Sequence, residues 1–309
     1  SCKNYNNENH YKNFAIVTAK YEATKAGHKI LKMGGNAFDA MIATDLALSV
    51  VYPNAGNLGG GGFMVYRTSN SQYGSIDYRE KAPLLSSENM YLDKNGNIIK
   101  NLSREGSLSI GVPGTVAGLF EVYEKFGTLP LDSIFKPALE LAKDGFKLTK
   151  KQADLFNSSK SKILINSDSL SLFNKDFKKD MIFSNYKLYK TLKYLLKNGV
   201  EGFYDGDISK EIINYVSKKG GILTKEDFLL YKLFSADTNN VAIVSLYGTT
   251  GSIEDTSFII NNFDPTQENW YWIEVVDQYN LSDQEKECIE GSIFVSKDCS
   301  ELNKKNADV

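Results

Sequence analysis

Residues 55–66 read Ala-Gly-Asn-Leu-Gly-Gly-Gly-Gly-Phe-Met-Val-Tyr, so four consecutive glycines, Gly59 to Gly62, run straight into an apolar, strand-like segment. Glycine reaches positive φ without steric cost and lets other backbone come close, but it gives up more chain entropy on folding than any other residue. Such a run is expected where side chains would be in the way, at a tight turn or under a ligand. A flexible linker would carry Ser or more Gly on both sides. Here the flanks read as a buried helix and a strand, so the stretch is a built turn.

Working outward, residues 14–19 are expected to form a short buried strand. Residues 21–33 place Ala23, Ala26, Ile30 and Met33 on one face at helical spacing. Gly34-Gly35 stops that helix, and Asn36 with Asp39 three residues on has the form of a capping pair for the next. Residues 37–51 are apolar nearly all round, which marks a helix buried between layers, and Pro53 ends it. After the glycines come a strand to about Thr68 and a second over 73–78, a sheet with helices packed on it. Asp93-Lys94-Asn95-Gly96-Asn97 is a hairpin signal. Gly111-Val112-Pro113-Gly114 opens a helix over 115–126, and further helices are expected over 131–143, 186–197, 208–218 and 225–231. From Val241 the texture changes, with strands expected over 241–247 and 257–260 and a polar, irregular tail from Asp264.

The chain has 309 residues, enough to bury a substantial core as one large domain or two smaller ones. Its net charge of -2 gives no electrostatic footprint for nucleic acid or an anionic membrane. No apolar run reaches transmembrane length. Cys2, Cys288 and Cys299 fit neither a disulfide framework nor a zinc site, though Cys288 and Cys299 could pair. With only His10 and His28, a histidine-based metal site or a Ser-His-Asp triad is not expected. Ser1-Cys2 followed by a polar, Asn-rich dozen has the look of a processed bacterial lipoprotein, with Cys2 lipidated; the alternative is an arbitrary chain end.

Tyr78-Arg79-Glu80-Lys81-Ala82-Pro83 follows directly on the second expected strand. An arginine there is well placed to hold a substrate carboxylate, because its planar fork donates two parallel hydrogen bonds. The competing assignment is a surface ion pair with Glu80 or Asp77, worth little. Gly59 to Gly62 could present backbone N–H groups to an anion.

Taken together, these pieces resemble the large subunit of the gamma-glutamyltranspeptidase (glutathione hydrolase) family. The matching blocks are Ala23-Thr24-Lys25-Ala26-Gly27, Gly34-Gly35-Asn36-Ala37-Phe38-Asp39-Ala40, the Gly59 to Gly62 run with Phe63, the Tyr78 to Pro83 hexapeptide, and Gly111 to Gly118. Asp144-Gly145-Phe146, Gly202-Phe203-Tyr204 and Leu223-Thr224-Lys225-Glu226-Asp227 continue the series. The resemblance implies an α/β (α+β) N-terminal-nucleophile hydrolase-like fold of αββα layers. It implies a precursor that cuts itself before a threonine, whose amine and hydroxyl then act as base and nucleophile. The reaction implied is cleavage of γ-glutamyl amides such as glutathione through a threonine acyl-enzyme, without cofactor or metal. Arg79 would hold the α-carboxylate of the γ-glutamyl group. A poly-γ-glutamate depolymerase would use the same chemistry on a polymer. The location implied is periplasmic or extracytoplasmic, with contact to a membrane only through a lipid on Cys2, and the partner is a small γ-glutamyl molecule rather than nucleic acid.

The expected organisation is a polar tail over 1–13, a large-subunit-like part over 14–232, truncated small-subunit-like strands over 233–265 and a divergent tail over 266–309. In the family a long segment ending in the processing threonine follows the Leu-Thr-Lys-Glu-Asp helix. Here Tyr231-Lys232-Leu233-Phe234 runs almost at once into Ser235-Ala236-Asp237, while residues 248–262 resemble the early small subunit. The fold is therefore expected to be incomplete, with the nucleophile missing, and a catalytically inactive remnant is the rival reading. Asn262 and Asp264 are candidates for holding the substrate amine, Asp264 out of register. Thr249-Thr250 is the chain's one adjacent threonine pair and the weak candidate for the nucleophile. It matches a position downstream of the processing site, and Gly-Ser-Ile does not supply the expected strand start.

Overall fold

Helix α1 (Tyr21–Lys32) buries Ala23, Ala26, Gly27 and Ile30 on one stripe, and Gly34 ends the turn at φ 90°. Helix α2 (Ala37–Val51) follows, buried on nearly every side. Its cap is the expected box. The Asn36 side chain accepts from the Phe38 and Asp39 amides, and the Asp39 carboxylate accepts from the Asn36 amide at 3.0 Å. The two helices cross closely because Gly27 lacks a Cβ, which would meet the Ala40 carbonyl at 3.3 Å.

The computed structural model describes residues 14–167 and 171–231, and beyond them the backbone of three short strands. Those residues fall in two units, Ser1–Gly62 with Tyr78–Leu233, and Phe63–Asp77 with Phe234–Val309. In the first unit α1, α3 (Thr115–Phe126) and α4 (Leu131–Asp144) pack on α2, and α6 (Tyr186–Tyr204) packs on α3 and α4, with α5 (Lys150–Asn166), α7 (Asp207–Lys218) and α8 (Lys225–Leu229) completing the unit. The two-residue strands β3 (Phe146–Lys147) and β4 (Ile182–Phe183) pair antiparallel. A knot of Phe156, Phe173, Phe177 and Phe183 rings, 5.1–6.2 Å apart, holds this part. The second unit contains β1 (Phe63–Arg67) and β2 (Tyr73–Asp77), antiparallel, with β5 (Phe234–Asp237) on the far edge of β2. In the same unit β6 (Ala242–Ser245) pairs antiparallel with β7 (Ser257–Ile260). The class is α+β.

Several expectations change. Residues 14–19 form no strand, and Val17 is 93% exposed rather than buried. An apolar run reads the same whether or not a partner strand is present to cover it. The hairpin at Asp93 shrinks to one bridge, Leu92 to Ile98. Helix α6 runs past residue 197 through a kink at Gly199, where φ is 63°. Helix α5 adds to the expected helices; its composition is too polar to show an apolar period. Its start is nonetheless marked by a capping box of Thr149 and Gln152.

Candidate functional site

The glycine run lies against the Tyr78-Arg79-Glu80 backbone. A Cβ on Gly61 would stand 2.6 Å from both the Tyr78 carbonyl oxygen and the Glu80 nitrogen, and one on Gly62 would stand 2.8 Å from the Tyr78 ring. The run is thus a close approach of two chains, and not a linker. Gly62 and Tyr78 exchange both backbone hydrogen bonds, at 3.3 and 3.0 Å. That uses the Gly62 amide, which the sequence had left open for an anion. The Gly60 carbonyl accepts from the Gly114 and Thr115 amides at 2.8 and 2.9 Å, so the start of α3 is pinned to the run as well.

Tyr78 is the hub. It is 6% exposed, with Gly62 at its ring tip and Gly118 of α3 at its ring base. Burial, and secondarily the charge of Asp45 on α2, push its phenol up to about 12. Any side chain at Gly118 would run into that ring. One at Gly114 would run into the Tyr78 carbonyl and the Tyr231 hydroxyl. Gly114 and Gly118 therefore serve packing against Tyr78, while Gly111 lies against Glu80 and the Lys81 carbonyl.

Beyond Tyr78 the chain is held from the other side. The Tyr231 hydroxyl donates to the Arg79 carbonyl at 2.8 Å. Its ring stacks on Tyr204 at 5.5 Å, and the Lys81 ammonium lies 5.3 Å from its centroid. Tyr204 donates to the Pro113 carbonyl at 2.8 Å and accepts from the Ala117 amide at 3.3 Å, and burial raises its pKa. Lys81 and Val112 form an isolated antiparallel bridge. Asp227, buried, caps α8 by accepting from the Thr224 amide and hydroxyl at 2.7 and 2.8 Å. Its other oxygen accepts from the Leu84 amide at 2.6 Å. The Arg79 side chain is exposed, but its backbone is clamped on three sides. Chemically, this is a fixed mount for a guanidinium, suited to a carboxylate.

Arg79 is the expected binding residue whose surroundings the structure describes. Thr249, Thr250, Asn262 and Asp264 lie outside the described residues, as do Cys2, Cys288 and Cys299. Among the described residues no cluster of His, Cys, Asp or Glu is arranged to hold a metal ion. Sequence reasoning missed Tyr231 as a support of the Arg79 backbone, Tyr204 as the ring stacked on Tyr231, and Asp227 as the anchor of Leu84. The signal was present in the Gly-Phe-Tyr and Leu-Thr-Lys-Glu-Asp blocks, but nothing local says which distant backbone those side chains reach.

The family model for gamma-glutamyltranspeptidase matches residues 23–248. A glutathione hydrolase proenzyme of Pseudomonas sp. (strain A14) is 41% identical over 224 residues, covering 71% of this chain and 39% of its own length. The chain thus spans about two fifths of the curated relatives it matches. The solved gamma-glutamyltranspeptidase of Helicobacter pylori superposes with a TM-score of 0.71 at 36% identity, over 82% of this chain and 71% of that one. The enzyme from Pseudomonas nitroreducens, complexed with L-DON, gives 0.68 at 31% identity over 82% and 72%. These neighbours carry the N-terminal-nucleophile hydrolase fold, as the resemblance implied. The chain belongs to the gamma-glutamyltranspeptidase family.

Proposed function

We propose that this chain takes part in γ-glutamyl transfer or hydrolysis, glutathione being the model substrate, and that Arg79 holds the α-carboxylate of the γ-glutamyl group. The observation that carries the reading is the mount itself. Gly60, Gly61 and Gly62 on one side and the Tyr231 hydroxyl on the other fix the backbone of an exposed arginine. Fixing the backbone lowers the entropy lost when the guanidinium closes on a carboxylate. The chemistry that the family resemblance implies is acylation of a threonine by the γ-carbonyl with loss of the amine, then deacylation by water or an acceptor amine, and the part in it proposed for this chain is to hold the γ-glutamyl group. Neither Thr249 nor Thr250 is proposed as that nucleophile. Asn262 and Asp264 are proposed partners of the substrate amine.

Two measurements test this. Calorimetry with L-glutamate and with its α-amide should show binding of the first, and at least tenfold weaker binding of the second, because the amide cannot accept a charge-assisted fork. Equal affinities would remove Arg79 from the site. Mass spectrometry should find one unprocessed chain, and a fragment beginning at Thr249 or Thr250 would overturn the rejection of that pair. A periplasmic or extracytoplasmic place, with Cys2 lipidated, belongs to the same reading. Palmitate labelling that is unchanged in Cys2→Ser would refute the anchor.

A further inference from the structure

The near-neutral net charge hides a strong local asymmetry. Residues 143–197 hold thirteen lysines, no arginine or glutamate, and five aspartates, while the whole chain carries -2. Four of those lysines, Lys187, Lys190, Lys193 and Lys197, lie on α6, and Tyr186 to Asn198 contains no acidic residue at all. Tyr186, Lys190, Lys193 and Lys197 recur at i, i+4, i+7 and i+11, one stripe of the helix, and all four are exposed. The opposite side is buried through Leu192 and Leu195.

This arrangement costs the helix stability. Lysines three and four apart repel one another. Lys187 also sits in the first turn, where the helix dipole favours acids, and no acid is there. Among the described residues none of the four lysines has a carboxylate partner, whereas Lys150, Lys160 and Lys162 nearby are paired with Asp154, Asp176 and Glu105. The surface continues past the helix start. The Asn185 amide donates to the Ala142 carbonyl at 2.9 Å, beside exposed Lys143. On the adjoining ladder Lys147 and Ile182 are cross-strand partners, both exposed.

Apolar groups are mixed into this charge. Ile182 is 54% and Tyr186 56% exposed. Lysine stems with an exposed isoleucine and tyrosine form the pattern that sits at a headgroup boundary, charge outward and apolar atoms dipping in. A soluble polyanion would have no use for Ile182. A nucleobase would need a free aromatic face, but Tyr186 is stacked on Tyr189 at 5.3 Å with Lys190 5.5 Å from its centroid. We propose that the α6 lysine stripe, with Lys147, Ile182 and Tyr186 at its head, is a docking surface for an anionic lipid bilayer. It acts independently of Arg79 and of any lipid on Cys2.

The test is sedimentation of the full chain, shown by mass to be unlipidated, with phosphatidylcholine vesicles that contain or lack about a third phosphatidylglycerol. Each lysine near an anionic surface is worth roughly a factor of five in partitioning. Binding should require the anionic lipid and weaken at least tenfold in 0.5 M salt. The triple change Lys190→Gln, Lys193→Gln, Lys197→Gln should lower it roughly a hundredfold. The charge-matched control Lys32→Gln, Lys94→Gln, Lys100→Gln, also exposed, should stay within about twofold. Ile182→Ser should weaken binding while leaving its salt slope intact. Absence of binding, equal binding to neutral vesicles, an equal loss in the control, or soluble polyglutamate competing as well as vesicles would each overturn the proposal.

Discussion

The Tyr78 cradle and the lysine face of α6 are built from opposite materials. In the cradle, three glycine-bearing segments meet at distances no side chain tolerates, and the backbone polar groups are spent on one another. On α6, like charges line an exposed stripe without carboxylate partners among the described residues. The first holds a side chain in place at the cost of sequence freedom. The second leaves sequence freedom intact and is unfavourable for the helix that carries it. Substitutions should therefore behave in opposite ways in the two regions.

The largest effect is expected at Gly114. A Cβ there collides with the Tyr78 carbonyl and the Tyr231 hydroxyl, and backbone cannot step aside as a flexible side chain would. Gly114→Ala should lose about 3 kcal/mol or more of stability in urea unfolding. Gly220→Ala in the α7 loop is a useful contrast. Its φ of 80° also strains alanine, but no atom lies within 4 Å, so it should cost only about 1 kcal/mol. Equal losses at the two sites would mean that the cradle is not closely packed.

Next comes the clamp on either side of Arg79. Asp227→Asn keeps the shape but weakens the contacts to Thr224 and Leu84, for about 1–2 kcal/mol. Tyr231→Phe removes one hydrogen bond, at an exposed carbonyl, and should cost only about 1 kcal/mol. It should weaken glutamate binding severalfold nonetheless, because Arg79 loses its support. Unchanged affinity in Tyr231→Phe would show that the hydroxyl does not position the arginine.

The smallest effect has the opposite sign. Lys187→Glu places an acid in the first turn of α6 and relieves the repulsion from Lys190, so it should raise the unfolding free energy slightly, by about a few tenths of a kcal/mol. A loss of stability would mean that these lysines already have stabilising work inside the fold.

The contrast also explains what the sequence could and could not reveal. Helices α2 and α3 were readable to the residue, because a cap or turn signal precedes an apolar period in each. The Asn36–Asp39 box was equally plain, but the second task of Asp39 was not. Its carboxylate also accepts from the Thr128 amide at 3.0 Å and from the Thr128 hydroxyl. Asp227 repeats the lesson with Leu84. A local motif announces the local bond, while the remote partner depends on how the chain returns. Residues 14–19 fail for the converse reason, since an apolar run does not say whether a neighbour will cover it. The lysine face was countable from the start, yet whole-chain charge averaged it away.

The central claim is that the cradle exists to aim Arg79 at a carboxylate. The most direct test is calorimetric titration of L-glutamate into the parent chain, Arg79→Lys and Arg79→Ala. The account predicts measurable binding by the parent and loss in Arg79→Ala. Arg79→Lys should be nearly as weak, because it keeps the charge but lacks the planar fork. Equal affinity in all three, or full affinity in Arg79→Lys, would contradict it.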